Sequence, residues 1–173
     1  MRQLLFVALC CGVFASAAMA QSKLDTKWHC DKPSATQKLD VGDVPDHSYV
    51  IAQGSCTAAA GDSLSDKSGA YTEFQELWKA KFTNHGRFNV TTDSGDVAYY
   101  TYEGSGAADI TKPATNKWKI HSGTGKVKGI NGTGGCTGAR HDDGTSDWTC
   151  TGTYTMGKAA MGKEGMAKEG MKK

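Results

Sequence analysis

Two pairs of cysteines are each centred on a turn, and this limits the folds open to the chain more than any other feature. Cys136 and Cys150 flank Asp143 symmetrically inside "HDDGTSD", where Asp-Gly is a strong hairpin signal. Cys30 and Cys56 flank Asp43 in the same way, inside the turn-rich "VGDVPD". Cysteines equidistant from a turn face each other on paired strands. Of the three connectivities open to four cysteines, the spacing therefore selects Cys30 with Cys56 and Cys136 with Cys150. Closing the shorter of these loops contributes about 3 kcal/mol in the chain-entropy model.

Disulfides need an oxidising compartment, and the N-terminus supplies a route to one. Arg2, an apolar run from Leu4 to Phe14 and the small-residue ending Ala18-Met19-Ala20 have the three-part layout of a secretory signal peptide, with cleavage expected after Ala20. The run is shorter than the roughly 20 residues a membrane-crossing helix needs, so no membrane span is expected. Cys10 and Cys11 fall in the removed segment. The expected protein is exported, periplasmic or secreted, with one domain over residues 21–155 and a tail over 156–173.

From Trp28 to Tyr154 the text is strand-like. "HSYVIAQGSCT", "RFNVTT", "DVAYYTYEG", "KWKIHSG" and "DWTCTGTY" are rich in β-branched and aromatic residues and bounded by Gly, Asp, Asn or Pro. In "KWKIH", Trp118 and Ile120 alternate with Lys117, Lys119 and His121, the pattern of a half-buried strand. The segment "YTEFQELWKAKF" is ambiguous. At helical spacing Phe74, Leu77, Trp78 and Phe82 share a face; at period two Thr72, Phe74, Glu76, Trp78, Ala80 and Phe82 share one. The strand reading is preferred because the aromatics match it and the neighbourhood is all-β.

"HSGTGKVKGINGTGGCTG" crowds glycines around two lysines without making a phosphate loop. Ile120 stands where the first glycine of a P-loop belongs and Val127 where its hydroxyl belongs, while Lys128 and Thr137 stand where a dinucleotide fingerprint needs glycine. These glycines read as bends and close approaches within strands. The run "WKIHSGTGKVKGINGTGGCTG", followed by "WTCTGTY", resembles the signature of the allene oxide cyclase barrel-like group, relatives of the dirigent proteins. The matching residues are Ser122 to Gly125, Lys126 to Gly134 and Gly152 to Tyr154. The resemblance implies a single antiparallel β-barrel of about eight strands in an exported protein. It carries over no catalytic residue.

Candidate chemistry follows from the strand reading. A strand over 71–82 puts Glu76 between Phe74 and Trp78 on an apolar face directed into the barrel, where desolvation would raise its pKa. The alternative is a helix or rim position at which Glu76 meets water or Lys79, the commoner fate of a glutamate. Tyr99, Tyr100, Tyr102 and Trp118 are candidates to line the lumen beside Phe74 and Trp78, although aromatics on such strands more often build core. The five histidines lack zinc spacing; His29 beside Cys30, and His141 beside Asp142 and Asp143, are the clusters to follow. The tail places Met156, Met161, Met166 and Met171 every five residues, which scatters them about a helix axis, so the tail is expected to be mobile or weakly helical. Thioethers are soft ligands for Cu(I), which makes metal handling one reading of these methionines and solvated low-complexity sequence the blander one.

The chain carries 20 Lys and Arg against 18 Asp and Glu, with the basic excess in the tail, so the body has no nucleic-acid footprint. No G-x-S-x-G is present, and paired cysteines offer no thiolate nucleophile. The leading expectation is a barrel that binds an apolar or aromatic small molecule, or acts as an interaction module, with neither cofactor nor turnover. An isomerase or cyclase-like enzyme, using Glu76 and a tyrosine as acid and base in the lumen, is the alternative, and periplasmic copper handling is the second.

Overall fold

The computed structural model of the chain describes residues 21–60, 64 and 66–157. The expected leader over residues 1–20 and Met161, Met166 and Met171 lie outside the described residues. Nine strands form, with one single-turn 3-10 helix, Gly125–Val127. They are β1 (Ser22–Cys30), β2 (Ala35–Asp40), β3 (His47–Ala60), β4 (Asp66–Trp78), β5 (Lys81–Thr92), β6 (Val97–Ala107), β7 (Ala114–Gly123), β8 (Asn131–Arg140) and β9 (Ser146–Thr155). From β3 to β9 each strand pairs antiparallel with its successor; β9 pairs with β1, and β1 returns to β3. Eight strands thus close a barrel, and β2 lies outside the ring on the first half of β3.

β1 and β2 are two pieces of one hairpin arm. β2 runs along β3 from Asp40↔Ser48 to Ala35↔Gln53, and β1 resumes at Cys30↔Cys56. Between them the backbone stays tethered through Ser34 N–H to Gln53 O and Asp31 N–H to Ser55 O. Pro33, which has no N–H to give, marks the break. The turn centred on Asp43 therefore does align Cys30 with Cys56, across an interrupted arm, and the turn at Asp143-Gly144 aligns Cys136 with Cys150 across β8 and β9. Both expected disulfides are present.

The closing seam is short. β1 pairs with β9 over nine positions but with β3 over only four, with a bulge between Lys27 and Trp28. The Cys30–Cys56 bond sits at one end of that seam.

Glycine makes room inside the ring. A Cβ at Gly69 would lie 2.1 Å from the Phe88 ring, one at Gly86 2.7 Å from Tyr102, and those at Gly134 and Gly152 2.2 and 2.4 Å from Trp118. Large inward side chains thus lie against the bare backbone of a neighbouring strand, the small-to-large alternation by which a narrow barrel is fitted. The end of the barrel at Gly123 and Asn131 is packed with Ile120, Val127, Ile130 and Tyr154, of which Ile120 and Ile130 are wholly buried. The "GTGK" run makes this plug. Gly125 sits at φ +46, and a Cβ there would lie 1.7 Å from Asp96 Oδ1, so only glycine allows the Asp96 carboxylate to accept from the Lys126 N–H and hold the turn that drives Val127 inward. The glycines serve packing and turn geometry, as the sequence reading expected.

Two outcomes follow. Replacing Cys30 and Cys56 with serine will destabilise the protein more than replacing Cys136 and Cys150, measured by urea denaturation. The first bond closes 26 residues of separation across a four-pair seam, about 3.5 kcal/mol by chain entropy, while the second staples a hairpin of ten registered pairs. Gly134→Ala will cost about 1–3 kcal/mol in the same assay, because the new methyl meets both the Trp118 ring and the fixed Thr151 carbonyl at 2.2 Å.

Candidate functional site

The lumen opens at the end of the barrel opposite the Val127 plug, as a cavity of about 380 Å³. This is within the size range of small-molecule sites, roughly 300–1,000 Å³. Its wall is an arc of rings: Trp28 meets Phe88 at 5.0 Å, Phe88 meets Tyr100 at 6.3 Å, and Tyr100 meets Trp118 at 5.7 Å, all edge-on. Tyr71, Tyr102 and Trp148 add to it. Of the candidates named from the sequence, Tyr100, Tyr102 and Trp118 line this cavity, and Tyr99 is on the outer surface, 40% exposed.

The strand expectation for β4 is correct, but its inward face is the other one. Gly69, Tyr71, Glu73, Gln75 and Leu77 stand opposite Cys56, Gly54, Ala52, Val50 and Ser48 of β3, the set that faces the core. Phe74, Glu76 and Trp78 consequently point out of the barrel, and Trp78 is 44% exposed. The rings outside are sheltered by one another: Phe74 lies 5.2 Å from Tyr49 and 5.4 Å from His85, and Trp78 lies 4.2 Å from His47. The run is also broken at Lys79 and Ala80. This two-residue turn pairs Leu77 with Phe82 and so brings Phe82 inside while Phe74 stays out.

Glu73 takes the position expected of Glu76. Its carboxylate accepts from the Tyr102 hydroxyl at 2.9 Å and the Asn84 amide at 2.8 Å, and it also accepts from the Gln75 amide. Burial first, and the Glu73 charge second, push the Tyr71 phenol up to about 12; the same two causes, in the same order, raise Tyr102 further. Both phenols hold their protons at any physiological pH, and that of Tyr102 donates to Glu73. Trp118 Nε1, Thr26 Oγ1 and Asn116 Oδ1 are buried in the lumen wall with no hydrogen-bond partner among the described residues. Glu73, Tyr71, Asn84 and Thr26 were missed by the sequence reading. The available signal was glycine parity: Gly69 shares its face with Tyr71 and Glu73, and Gly86 shares its face with Asn84 and Phe88.

Outside the barrel, Glu76 belongs to a clamp. The buried His47 ring is 2.6 Å from Asp43 Oδ1 through Nδ1 and 3.1 Å from Glu76 Oε1 through Nε2, and the Tyr49 hydroxyl donates to the same Glu76 oxygen at 3.3 Å. The clamp joins the 41–46 turn to the end of β4, and the Lys79 N–H donates to Asp46 O beside it. The two histidine clusters singled out by sequence meet on one carboxylate, with His29 2.7 Å and His141 2.9 Å from Asp147. Among the described residues no group of three or more His, Cys, Asp or Glu side chains is arranged to hold a metal. Met156, assigned to the tail by sequence, instead packs against the core.

These features define the class: a small, disulfide-stapled antiparallel barrel of dirigent-like fold, open at one end. No family model matches the sequence, and no curated protein matches it. Among solved structures it is similar to that of the pterocarpan synthase dirigent protein GePTS1, with a TM-score of 0.52 and 11% identity over 88% of this chain and 98% of that one. The likeness is one of fold. No helix among the described residues is long and apolar enough to cross a membrane.

The His47 clamp has a definite pH signature. Burial lowers its pKa, but hydrogen bonds to Asp43 and Glu76 outweigh burial and raise it above 6.5, while the His47 bond lowers that of Asp43 below 3.8. The imidazolium's contribution to stability is therefore complete below pH 6.5 and fades as pH rises through its folded-state value. The Asp43 contribution is complete above pH 3.8 and fades as pH falls through its folded-state value. An NMR titration of the His47 ring will give a midpoint above 6.5, and Asp43→Asn will lower it.

Proposed function

We propose that this chain is an exported barrel, its domain spanning residues 21–155, which binds an apolar or aromatic small molecule in its lumen without turnover. The observation that carries this reading is the open, ring-walled cavity in which Trp118 N–H and Thr26 O–H have no partner among the described residues. A buried polar group left unpaired costs about 1–3 kcal/mol. A bound molecule that accepts from Trp118 removes that cost, and the aromatic arc supplies the apolar contact. Two disulfides and a signal-like leader support an oxidising compartment.

Turnover has less support. The acid-base alternative relied on Glu76, which lies outside the lumen, and the phenols beside Glu73 are pushed away from neutral pH. The copper reading relied on methionines of which only Met156 is described, and its thioether is packed on the core.

Native mass spectrometry of protein purified from its own host will show a co-purified small molecule, released on unfolding. The same protein, once stripped, will take up an environment-sensitive aromatic dye with one-to-one stoichiometry. A ligand-free mass together with no dye uptake would overturn the reading.

A further inference from the structure

The proposal above leaves the charge of the ligand open, and the lumen's own charges bear on it. Glu73 is held by three side-chain amide and hydroxyl donors, yet among the described residues it has no ion-pair partner. Asp31 also lines the cavity. The guanidinium of Arg140, at the end of β8, donates from Nη2 to the carbonyls of Ala107 and Asp109 at 2.6 and 2.9 Å and stacks 4.9 Å from the Phe82 ring. The Glu73 carboxylate is fixed in place by neutral donors, and no cationic side chain among the described residues pairs with it.

The walls near that charge are π-systems. Trp118 packs against the backbone at Gly134 and Gly152, and Tyr102 against that at Gly86, and both rings line the cavity. The face of an aromatic ring is its negative side, and a ring face near a carboxylate is the environment that attracts organic cations. An anionic ligand placed beside Glu73 would be repelled by its carboxylate, and a neutral one would leave that charge unmatched.

We infer that the lumen is selective for an organic cation, an amine or quaternary ammonium group carried on an aromatic or aliphatic body, with the cationic group between Glu73 and the faces of Tyr102 and Trp118. This deepens the small-molecule reading and rests on it. The ring arc of Trp28, Phe88 and Tyr100 takes the body. Glu73 supplies the attraction that distinguishes charge, and Tyr102 and Asn84 keep its oxygens aimed.

The test uses three probes that share a phenyl ring and differ in charge, benzyltrimethylammonium, benzyl alcohol and benzoate, titrated into the full-length protein. The readout is the NMR signals of the four tryptophan indole N–H groups. Trp28, Trp118 and Trp148 line the cavity, and Trp78, on the outer surface, is an internal control. The cation will shift the lumen indoles, leave Trp78 unmoved, and bind at least tenfold tighter than benzyl alcohol, with benzoate weakest. Glu73→Gln, which keeps an acceptor for Tyr102, will remove that tenfold preference. If benzyl alcohol shifts the lumen indoles and binds as tightly as the cation in the unaltered protein, the charge inference is wrong and the lumen reading stands. If no probe moves Trp118, the lumen reading fails with it. A cation preference that survives Glu73→Gln would overturn the role given to Glu73, and the unaltered protein decides the charge question even where that variant does not fold.

Discussion

The ring depends on one narrow seam. Every other neighbouring pair of strands in the barrel is held by at least seven registered positions, but β1 meets β3 over four, beside a bulge. A ladder this short must offset the loss of chain entropy on closure with few hydrogen bonds. The Cys30–Cys56 bond changes that balance by removing the entropy from the unfolded chain. Once the seam holds, the inward faces of all eight strands enclose a common interior, and the cavity exists. Were the seam to open, Leu24, Thr26 and Trp28 would leave the wall together, since they share one strand face.

Closure alone would give a core filled with side chains, as eight-stranded barrels often have. Here the glycines alter that outcome. Gly69, Gly86, Gly134 and Gly152 each let a large ring pack back against the wall, so these residues widen the lumen by hugging its perimeter. The packing burden shifts to the plugged end, where Ile120, Val127 and Ile130 are buried together. The barrel is consequently solid at one end and hollow at the other, and its polar groups are gathered in the hollow part: Glu73, Asn84 and Tyr102 in mutual contact, Asn116 Oδ1 and the Trp118 N–H without partners among the described residues.

Much of the architecture was legible in the sequence because its determinants are local. Turn residues at fixed offsets, runs of β-branched and aromatic residues and the symmetric spacing of the cysteines all report on contacts between segments joined by a single turn. The failed P-loop pattern was legible for the same reason. What could not be read locally was the direction of a strand's two faces. Alternation in β4 was plain, but both its faces carry aromatic and acidic residues, so hydrophobicity alone did not distinguish inside from outside. The partners decide it: Cys56 is tied to Cys30 inside the ring, Gly69 stands opposite Cys56, and Glu73 follows Gly69 by four residues on the same face. Phe74 and Trp78 look like core from sequence because they do have ring neighbours, Tyr49, His85 and His47, but these sit on the outer surface.

Glu73 and Glu76 show how far that choice of face reaches into chemistry. They are three residues apart in one strand, and each accepts from a tyrosine hydroxyl, Tyr102 for one and Tyr49 for the other. Glu76 points out and finds His47, a group that can carry the opposite charge, so it is spent on holding a turn to a strand end. Glu73 points in and finds only neutral donors, so its charge remains available to whatever enters. A single-residue slip of β4 would exchange the two roles, sending a histidine-ready carboxylate into the lumen and a lumen carboxylate to the surface. The register that prevents this slip is the one in which every inward glycine of β3, β4 and β5 has a ring to receive, which makes the fit of rings onto glycines the source of both the cavity's shape and its charge.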